Sequence, residues 1–304
     1  MTSKEFEPID PTVSPRFSDI ATFMRTRRHD ISPQVDIGLV GVPFDLGVNY
    51  RTGARHGPSG VREGSRVIRR VHPSSGIAPF EICNVADLGD APINPMNKDI
   101  SIVQIQEFFE QLVENKITPI ACGGDHTIPL PILRAIAKDN PVGILHFDAH
   151  ADTLDELVGD RINHATFLRR GYEEGLVDPK RVIQIGLRGS RFAPDDIQFG
   201  YDVGFTIITM DEYEEMGRAE VIRKIDQVLG DGPSYISLDI DGLDPAFLPG
   251  TGVPEIGGIT PRDAQVIIRS LQGREIVGAD ISEVSTVPEP TGISSLSLAD
   301  SMLI

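Results

Sequence analysis

The chain has 304 residues and a formal net charge of −17 at pH 7, and its 40% hydrophobic content is ordinary for a globular protein. Such an acidic chain lacks the basic surface that nucleic-acid phosphates require, and no apolar run approaches the roughly 20 residues of a membrane span. Composition therefore excludes nucleic acid and membrane as expected partners. An acidic field favours cationic ligands, although most of the acidic side chains need only keep the protein soluble.

The first 34 residues are polar and rich in loop signals, so we expect an irregular arm over the surface or against a neighbouring subunit. They lack the basic and apolar segments of a secretion signal, and we therefore expect a cytoplasmic protein. Residues 35–304 are expected to form a single domain, because α/β enzymes of this size often have one. Cys83 and Cys122 stand in apolar contexts and are predicted to be buried thiols.

Short apolar runs rich in β-branched residues recur along the chain and predict buried strands. They lie at 35–42, 117–121, 142–147, 181–185, 206–208, 234–238 and 276–279. Helical periodicity is clearest in residues 101–115, and Thr260 followed by Pro261 predicts the start of another helix. Strands alternating with helices predict an α/β fold with three α/β/α layers and a mostly parallel central sheet. In such folds, ligands sit at the carboxyl ends of the strands.

Histidine and aspartate residues directly follow three of these strands. Asp148, His150 and Asp152 are spaced by two, so an extended backbone turns all three side chains to one side. Asp239 and Asp241 repeat this spacing after the strand 234–238, and an imidazole is added by His126. Carboxylates crowded in this way repel one another unless cations neutralise them. The set predicts two divalent ions per subunit, with Mn²⁺ first and Ni²⁺ or Co²⁺ as alternatives.

Each of these segments also has a simpler interpretation. His126, which follows two glycines, is typical of a turn, and the DGLDP sequence at 241–245 is a common turn composition. The segment from Asp148 to Asp152 is harder to dismiss, because consecutive charged residues at a strand end are poorly explained by packing. His146 lies one step inside the strand, and we predict a hydrogen-bonded core histidine or a group that supports the ligands.

Four blocks of sequence, in this order, resemble the signature of the ureohydrolase family of arginases and agmatinases: GGDHT, HFDAHADT, SLDIDGLDPAFLPGTGVPEIGG and GADISEVS. The segment GVPFDLGVNYRTGARHGPSGVRE extends the likeness over nearly the whole chain. Its nearest branch is that of guanidinopropionase, guanidinobutyrase and guanidinase-like enzymes. The resemblance implies an arginase-like fold for the 35–304 domain and a hydrolase that converts a guanidino compound to urea plus an amine or ammonia. Guanidino acids, free guanidine and agmatine remain open as the small cationic substrate, and a homotrimer or homohexamer is implied.

The resemblance also implies a role for each motif residue. One ion would be held by His126, Asp148, Asp152 and Asp239, and the other by Asp148, His150, Asp239 and Asp241. Asp148 and Asp239 would bridge the two ions. Glu283 would contact the guanidinium group and assist proton transfer, and His164 would carry a proton to the leaving amine.

Two loops depart from the family pattern. Residues 164–167 read HATF where the family has His-Gly-Thr-Pro, and residues 286–290 replace its usual proline-rich continuation. Because Phe167 is bulkier than proline, we predict a shortened pocket that favours compact substrates. Asn49, in the early loop, and Glu255, in the GVPEIGG segment, are further predicted substrate contacts.

Two other functions are compatible with the same fold. A non-catalytic subunit of a hetero-oligomer would keep the fold but lose ligands, whereas every ligand position and Glu283 are intact here. A one-metal amide deacetylase of the same architecture needs fewer ligands than the chain retains, since both His126 and His150 are present with the aspartates. Metal content per subunit distinguishes these possibilities.

Overall fold

The computed structural model describes residues 4–73 and 75–285, and a central parallel sheet dominates it. This sheet has eight strands in the order β2-β1-β3-β8-β7-β4-β5-β6, and each neighbouring pair is parallel. The strands are β1 Ile37–Val42, β2 Val85–Asp90, β3 Thr118–Gly123, β4 Val142–Phe147, β5 Val177–Leu187, β6 Thr206–Thr209, β7 Ser234–Asp239 and β8 Ile276–Ser282. The expected parallel α/β fold is confirmed.

Helices cover both faces of the sheet. They are α1 Gly57–Gly64, α2 Pro79–Ile82, α3 Lys98–Glu114, α4 Pro129–Ile136, α5 Phe167–Glu173, α6 Gln198–Val203, α7 Met210–Met216, α8 Arg218–Leu229 and α9 Pro261–Arg269. Side chains alternate along each strand, so Ile144 of β4 packs in one apolar cluster and Leu145 in another. Helices α3 and α4 contribute to the first cluster, and α8 and α9 to the second. The two clusters are the two interfaces of a three-layer α/β/α fold.

Local capping explains where the predicted helices begin. Asn97 precedes α3, and its side chain accepts a hydrogen bond from the amide of Ile100, so the helix starts three residues before the predicted 101. At α9, the Thr260 hydroxyl accepts from the amide of Asp263 at 3.1 Å, as the sequence predicted. Each cap satisfies a backbone donor that the first helical turn leaves without a partner.

Strand β2 was missed, because its sequence VADLGD has no β-branched run and carries two aspartates. Asp87 is nevertheless buried, since the Arg62 guanidinium contacts its carboxylate at 2.8 Å. A buried ion pair between distant residues hides this strand from a local pattern. Gly89, with φ of +84°, lies where the register against β1 shifts.

The arm of residues 4–34 is irregular, with one-turn helices at Lys4–Phe6 and Phe23–Arg25 and an isolated parallel bridge from Arg28 to Asp87. It packs against its own domain: Phe23 is fully buried, and its amide donates to Asp87 Oδ2 at 3.0 Å. The amide of Met24 donates to the Ser65 hydroxyl at 2.8 Å. Among the described residues, no helix has the length and apolar character needed to cross a membrane.

Candidate metal centre

The sheet brings the predicted ligands together at the carboxyl ends of neighbouring strands. Phe147 at the end of β4 lies in register with Leu238 of β7, so the next residues, Asp148 and Asp239, come to lie side by side. His126 follows β3, and β8 is the only strand between β3 and β7. This edge is where ligands bind in open parallel sheets.

The His126 imidazole lies at the centre of the first group of ligands. Its Nδ1 atom is 3.0 Å from Asp148 Oδ2, 2.9 Å from Asp152 Oδ2 and 3.2 Å from Asp239 Oδ2. All four side chains are buried. Asp152 has a φ of +51°, an uncommon backbone conformation that turns its carboxylate toward the group.

The second group shares Asp148 with the first. His150 Nδ1 is 3.1 Å from Asp241 Oδ2 and 3.4 Å from Asp148 Oδ1, whereas Asp148 Oδ2 faces His126. Each oxygen of one carboxylate thus belongs to a different group. Backbone amides hold these aspartates, since Ala149 N donates to Asp241 Oδ1 at 3.1 Å and Asp241 N donates to Asp239 Oδ1 at 2.8 Å.

The chemistry of these atoms fits two divalent ions. His126 Nδ1, Asp148 Oδ2 and Asp152 Oδ2 are buried and have no hydrogen-bond partner within the described residues, although they face one another. Burial, together with the neighbouring Asp241 and Asp148, raises the pKa of Asp239 well above its usual value. Burial and the charge of Asp148 raise the pKa of Asp152 to about 6. Cations would relieve this repulsion, and mixed imidazole and carboxylate donors suit borderline-hard divalent ions.

His146 joins the first group from within β4. Its Nε2 atom is 3.0 Å from Asp148 Oδ2, and its Nδ1 atom is 2.9 Å from Gln184 Nε2. Because the Gln184 amide donates, His146 Nδ1 accepts and the hydrogen lies on Nε2, toward Asp148. This geometry agrees with the predicted supporting histidine. Ser237 contacts His126 as Gln184 contacts His146, since the Ser237 hydroxyl lies 2.9 Å from His126 Nε2.

Glu283 is buried behind His126. Its Oε1 atom accepts from the backbone amide of His126 at 2.9 Å, and its own amide donates to the Gly124 carbonyl. Burial, and then the charge of Asp125, raises the pKa of Glu283 well above its usual value. Burial also raises the pKa of Asp125 to about 6, and this carboxylate accepts from the amides of Thr127 and Gly47. Asp125 thereby fastens the early loop to the metal-binding segment.

An open pocket of about 770 Å³ lies against the ligands His150 and Asp152. Three predicted substrate contacts, Asn49, His164 and Glu255, line this pocket, whereas Glu283 is not among its lining residues. His164 Nε2 lies 3.1 Å from Asn49 Oδ1, so the imidazole donates to the amide oxygen. Burial, and then the charges of His150 and His126, lowers the pKa of His164 to about 4.

The prediction for Phe167 was wrong. Its side chain is fully buried at the start of α5, and it is not among the residues that line the pocket. The ring instead packs against His126, with centroids 4.6 Å apart, and against His146, at 5.4 Å. Phe167 therefore packs against the two buried histidines and does not shorten the pocket. The predicted loop at 286–290 lies outside the described residues.

Two arginines of the pocket were missed. The Arg188 guanidinium donates to several backbone carbonyls, including Asp241 at 2.6 Å and Glu255 at 2.6 Å, and so ties the pocket wall to a metal-binding segment. Arg191 is exposed on the same wall, and its guanidinium donates to the Pro194 carbonyl at 3.0 Å. Their position just after a predicted strand was the one local signal that they could reach a ligand.

Comparison with known proteins agrees with this architecture. The arginase family model matches residues 35–303. Guanidinopropionase of Pseudomonas aeruginosa is 45% identical over 97% of this chain and 93% of its own length, and the mitochondrial agmatinase of Gallus gallus is 45% identical over 86% and 77%. Proclavaminate amidino hydrolase from Streptomyces clavuligerus superposes with a TM-score of 0.92 at 35% identity, covering 95% of this chain and 97% of that one. This chain belongs to the arginase family.

Proposed function

We propose that this protein is a binuclear-metal hydrolase that uses water to split a guanidino carboxylic acid into urea and an amino acid. The observation that carries this function is the pair of histidine and aspartate groups that share Asp148 and adjoin the open pocket. A degenerate subunit or a one-metal deacetylase has no need for both groups. Relatives named for guanidinopropionate and guanidinobutyrate support the choice of substrate class.

The ligand sets proposed for the two ions are His126, Asp148, Asp152 and Asp239, and Asp148, His150, Asp239 and Asp241. Two divalent ions held there would lower the pKa of water, so that water attacks the poorly electrophilic guanidinium carbon at neutral pH. We propose Mn²⁺ as the native metal and Ni²⁺ as the alternative to test. The protein's acidic charge attracts both the ions and a cationic head group.

The remaining polar residues of the site act on the substrate. The Glu283 carboxylate pairs with the guanidinium group and orients its carbon, which supplies both position and charge. His164 lies beside Asn49 on the pocket wall, and its lowered pKa of about 4 keeps the imidazole neutral at pH 7. It would therefore take a proton from the attacking water and pass it to the leaving amine. Burial alone favours the neutral acid of Glu283, and a guanidinium group beside it would favour the charged carboxylate in a contact that water screens little.

The pocket favours a substrate with a tail. A volume of about 770 Å³ is far more than free guanidine needs, and Phe167 does not enter it. Arg191 lines the pocket and makes no ion pair with any described carboxylate. An arginine so placed is suited to bidentate contact with a terminal carboxylate.

Agmatine is the second candidate, because the same pocket carries carboxylates that suit a terminal ammonium group. Glu255, Asp196 and Asp211 all line it. The related agmatinase of Gallus gallus supports this alternative.

We also propose that the protein is a cytoplasmic homotrimer or homohexamer. Sedimentation of the metal-loaded protein tests the number of subunits.

Urea release is the direct test. Protein loaded separately with Mn²⁺ and with Ni²⁺ is given 3-guanidinopropanoate, 4-guanidinobutanoate, agmatine and guanidine, and metal content per subunit is measured alongside. We expect two ions per subunit and the highest kcat/KM for a guanidino acid. If urea is released from agmatine alone, agmatine replaces the guanidino acid as the proposed substrate. A protein that holds two ions but releases no urea from any of the four compounds would contradict the proposal.

A further inference from the structure

A second cavity lies far from the ligand residues in sequence, between the N-terminal arm and the segment that follows α1. It has a volume of about 300 Å³, and we name it the arm pocket. Its charged lining residues are Arg16, Arg25, Arg69, Arg70 and Asp10. Four arginines against one aspartate make a positive lining in a chain that has 45 acidic and only 28 basic residues. The lining residues are therefore positive in sum, whereas the whole protein is negative.

Two of these arginines already serve the fold. The buried Arg25 guanidinium donates to the carbonyls of Ile9, Pro15 and Ser14, which closes the arm around it. Arg70 donates to the Pro8 carbonyl and lies 3.8 Å from the carboxylate of Glu7. Carbonyl oxygens satisfy hydrogen bonds but carry no net charge, so the charge of Arg25 is offset only in part, by the nearby carboxylates of Asp19 and Asp10. Burial, and then the charges of Arg16 and Arg66, lowers the pKa of Arg25.

The other two arginines are available. Within residues 4–73 and 75–285, the guanidinium groups of Arg16 and Arg69 make no hydrogen bond or ion pair. Asp10, the only acid in the lining, is held by Thr12, whose amide and hydroxyl donate to it at 2.8 and 2.7 Å. Ten donors on two planar groups thus remain without partners beside a cavity.

The rest of the lining is apolar. Met24 and Phe80 are buried and Ile68 is half-buried, and prolines 8 and 11 complete this side. Arginine pairs recognise carboxylate and phosphate oxygens, and an apolar wall adds affinity for a hydrocarbon body. We propose that the arm pocket binds a small organic dianion, either a phosphate monoester or a short dicarboxylate, through Arg16 and Arg69.

The arm pocket is separate from the metal centre but is connected to it by α1. Gly57, the first residue of this helix, packs so closely against the backbone carbonyls of Gly123 and Val284 that a Cβ atom there would lie 2.5 and 2.6 Å from them. Ser65, directly after the helix, holds the arm through the amide of Met24. The proposed binding itself is independent of the reaction at the metal centre.

Isothermal titration at low ionic strength tests the proposal on the metal-loaded full chain, with phenyl phosphate, glutarate and inorganic phosphate as probes. We expect phenyl phosphate or glutarate to bind, and the organic dianion to bind more tightly than inorganic phosphate. The double variant R16Q/R69Q should weaken binding at least about tenfold, because two charge-assisted contacts are lost. Neither arginine side chain has a partner within the described residues, so the melting temperature of the double variant should equal that of the wild type.

The matched control is R223Q/R262Q, which removes two exposed arginines from α8 and α9 and should leave the affinity unchanged. A probe held by the metal centre would bind both double variants equally, and that result would overturn the proposal. Absence of binding by all three probes would overturn it as well. Equal affinity for phenyl phosphate and inorganic phosphate would disprove the role of the apolar wall. Which of the two organic probes binds more tightly identifies the class of ligand.

Discussion

The metal centre and the outer wall of its pocket, which we define by Asn49, Arg191 and Glu255, differ in how the fold holds their side chains. The ligands at the metal centre follow strands of the sheet, and His126, Asp148 and Asp239 are buried and fixed by backbone contacts. On the outer wall, Asn49 and Arg191 are exposed on loops. Rigid strand ends place groups precisely enough for chemistry, whereas loops tolerate substitution. The contrast implies that residues at the strand ends determine the reaction, whereas residues on the loops determine which substrate tail is accepted.

Electrostatics separates the two regions as well. Burial and mutual repulsion raise the pKa values of Asp239 and Asp241, so the metal centre concentrates carboxylate charge that bound cations would relieve. Charges on the outer wall are solvated, and each contributes little to folding. Substitutions at the metal centre should therefore change metal binding and turnover together. Substitutions on the wall should change only substrate preference.

The largest effect is expected at an aspartate proposed to bridge both ions. Asp239→Ala should lower the occupancy of both metal sites and cut urea release by more than the roughly 100-fold that a supporting residue costs. Elemental analysis and a urea assay measure the two effects. Asp125→Asn is the matched control, because its buried carboxylate faces Gly47 and Thr127 rather than the ligands and both ions should remain. Normal metal content in Asp239→Ala would show that the ligand assignment is wrong.

A smaller loss is expected at Glu283, and there metal binding should be spared. Glu283→Gln keeps the size of the side chain and can still accept from the His126 amide, but it removes the charge that orients the guanidinium group. We expect kcat/KM to fall about 10²–10³-fold with both ions retained, a loss typical of an electrostatic contact in the transition state. Steady-state kinetics on protein of measured metal content provides the test. Unchanged kinetics with full metal would remove Glu283 from the reaction.

The difference between the two regions also explains what sequence could predict. Spacing by two places Asp148, His150 and Asp152 on one side of an extended backbone, so local geometry was enough to find these ligands. The roles of Glu283 and His164 came from family resemblance, because a single glutamate or histidine has no local pattern.

At three places the structure depends on residues that are distant in sequence, and the sequence predictions failed there. Strand β2 depends on the pairing of Asp87 with Arg62, which are 25 positions apart. The position of Phe167 depends on contacts with His126 and His146, so its size alone could not show whether it faces the pocket or the core. Arg191 gained significance only when the fold placed it beside the same pocket as His164.

The smallest effect is expected on the outer wall, where Arg191 is proposed to hold a substrate carboxylate. Arg191→Gln should raise KM for 3-guanidinopropanoate about 10–100-fold, because a charge-assisted pair is lost, and should leave KM for agmatine and the metal content unchanged. Glu255→Gln is the reciprocal variant on the same wall, and it should raise KM for agmatine only. Equal changes for both substrates in Arg191→Gln would mean that the loop acts through the shape of the pocket. Charged residues of the outer wall would then not determine which substrate is preferred. The assignment of catalysis to the strand ends and of substrate preference to the loops would be wrong for Arg191.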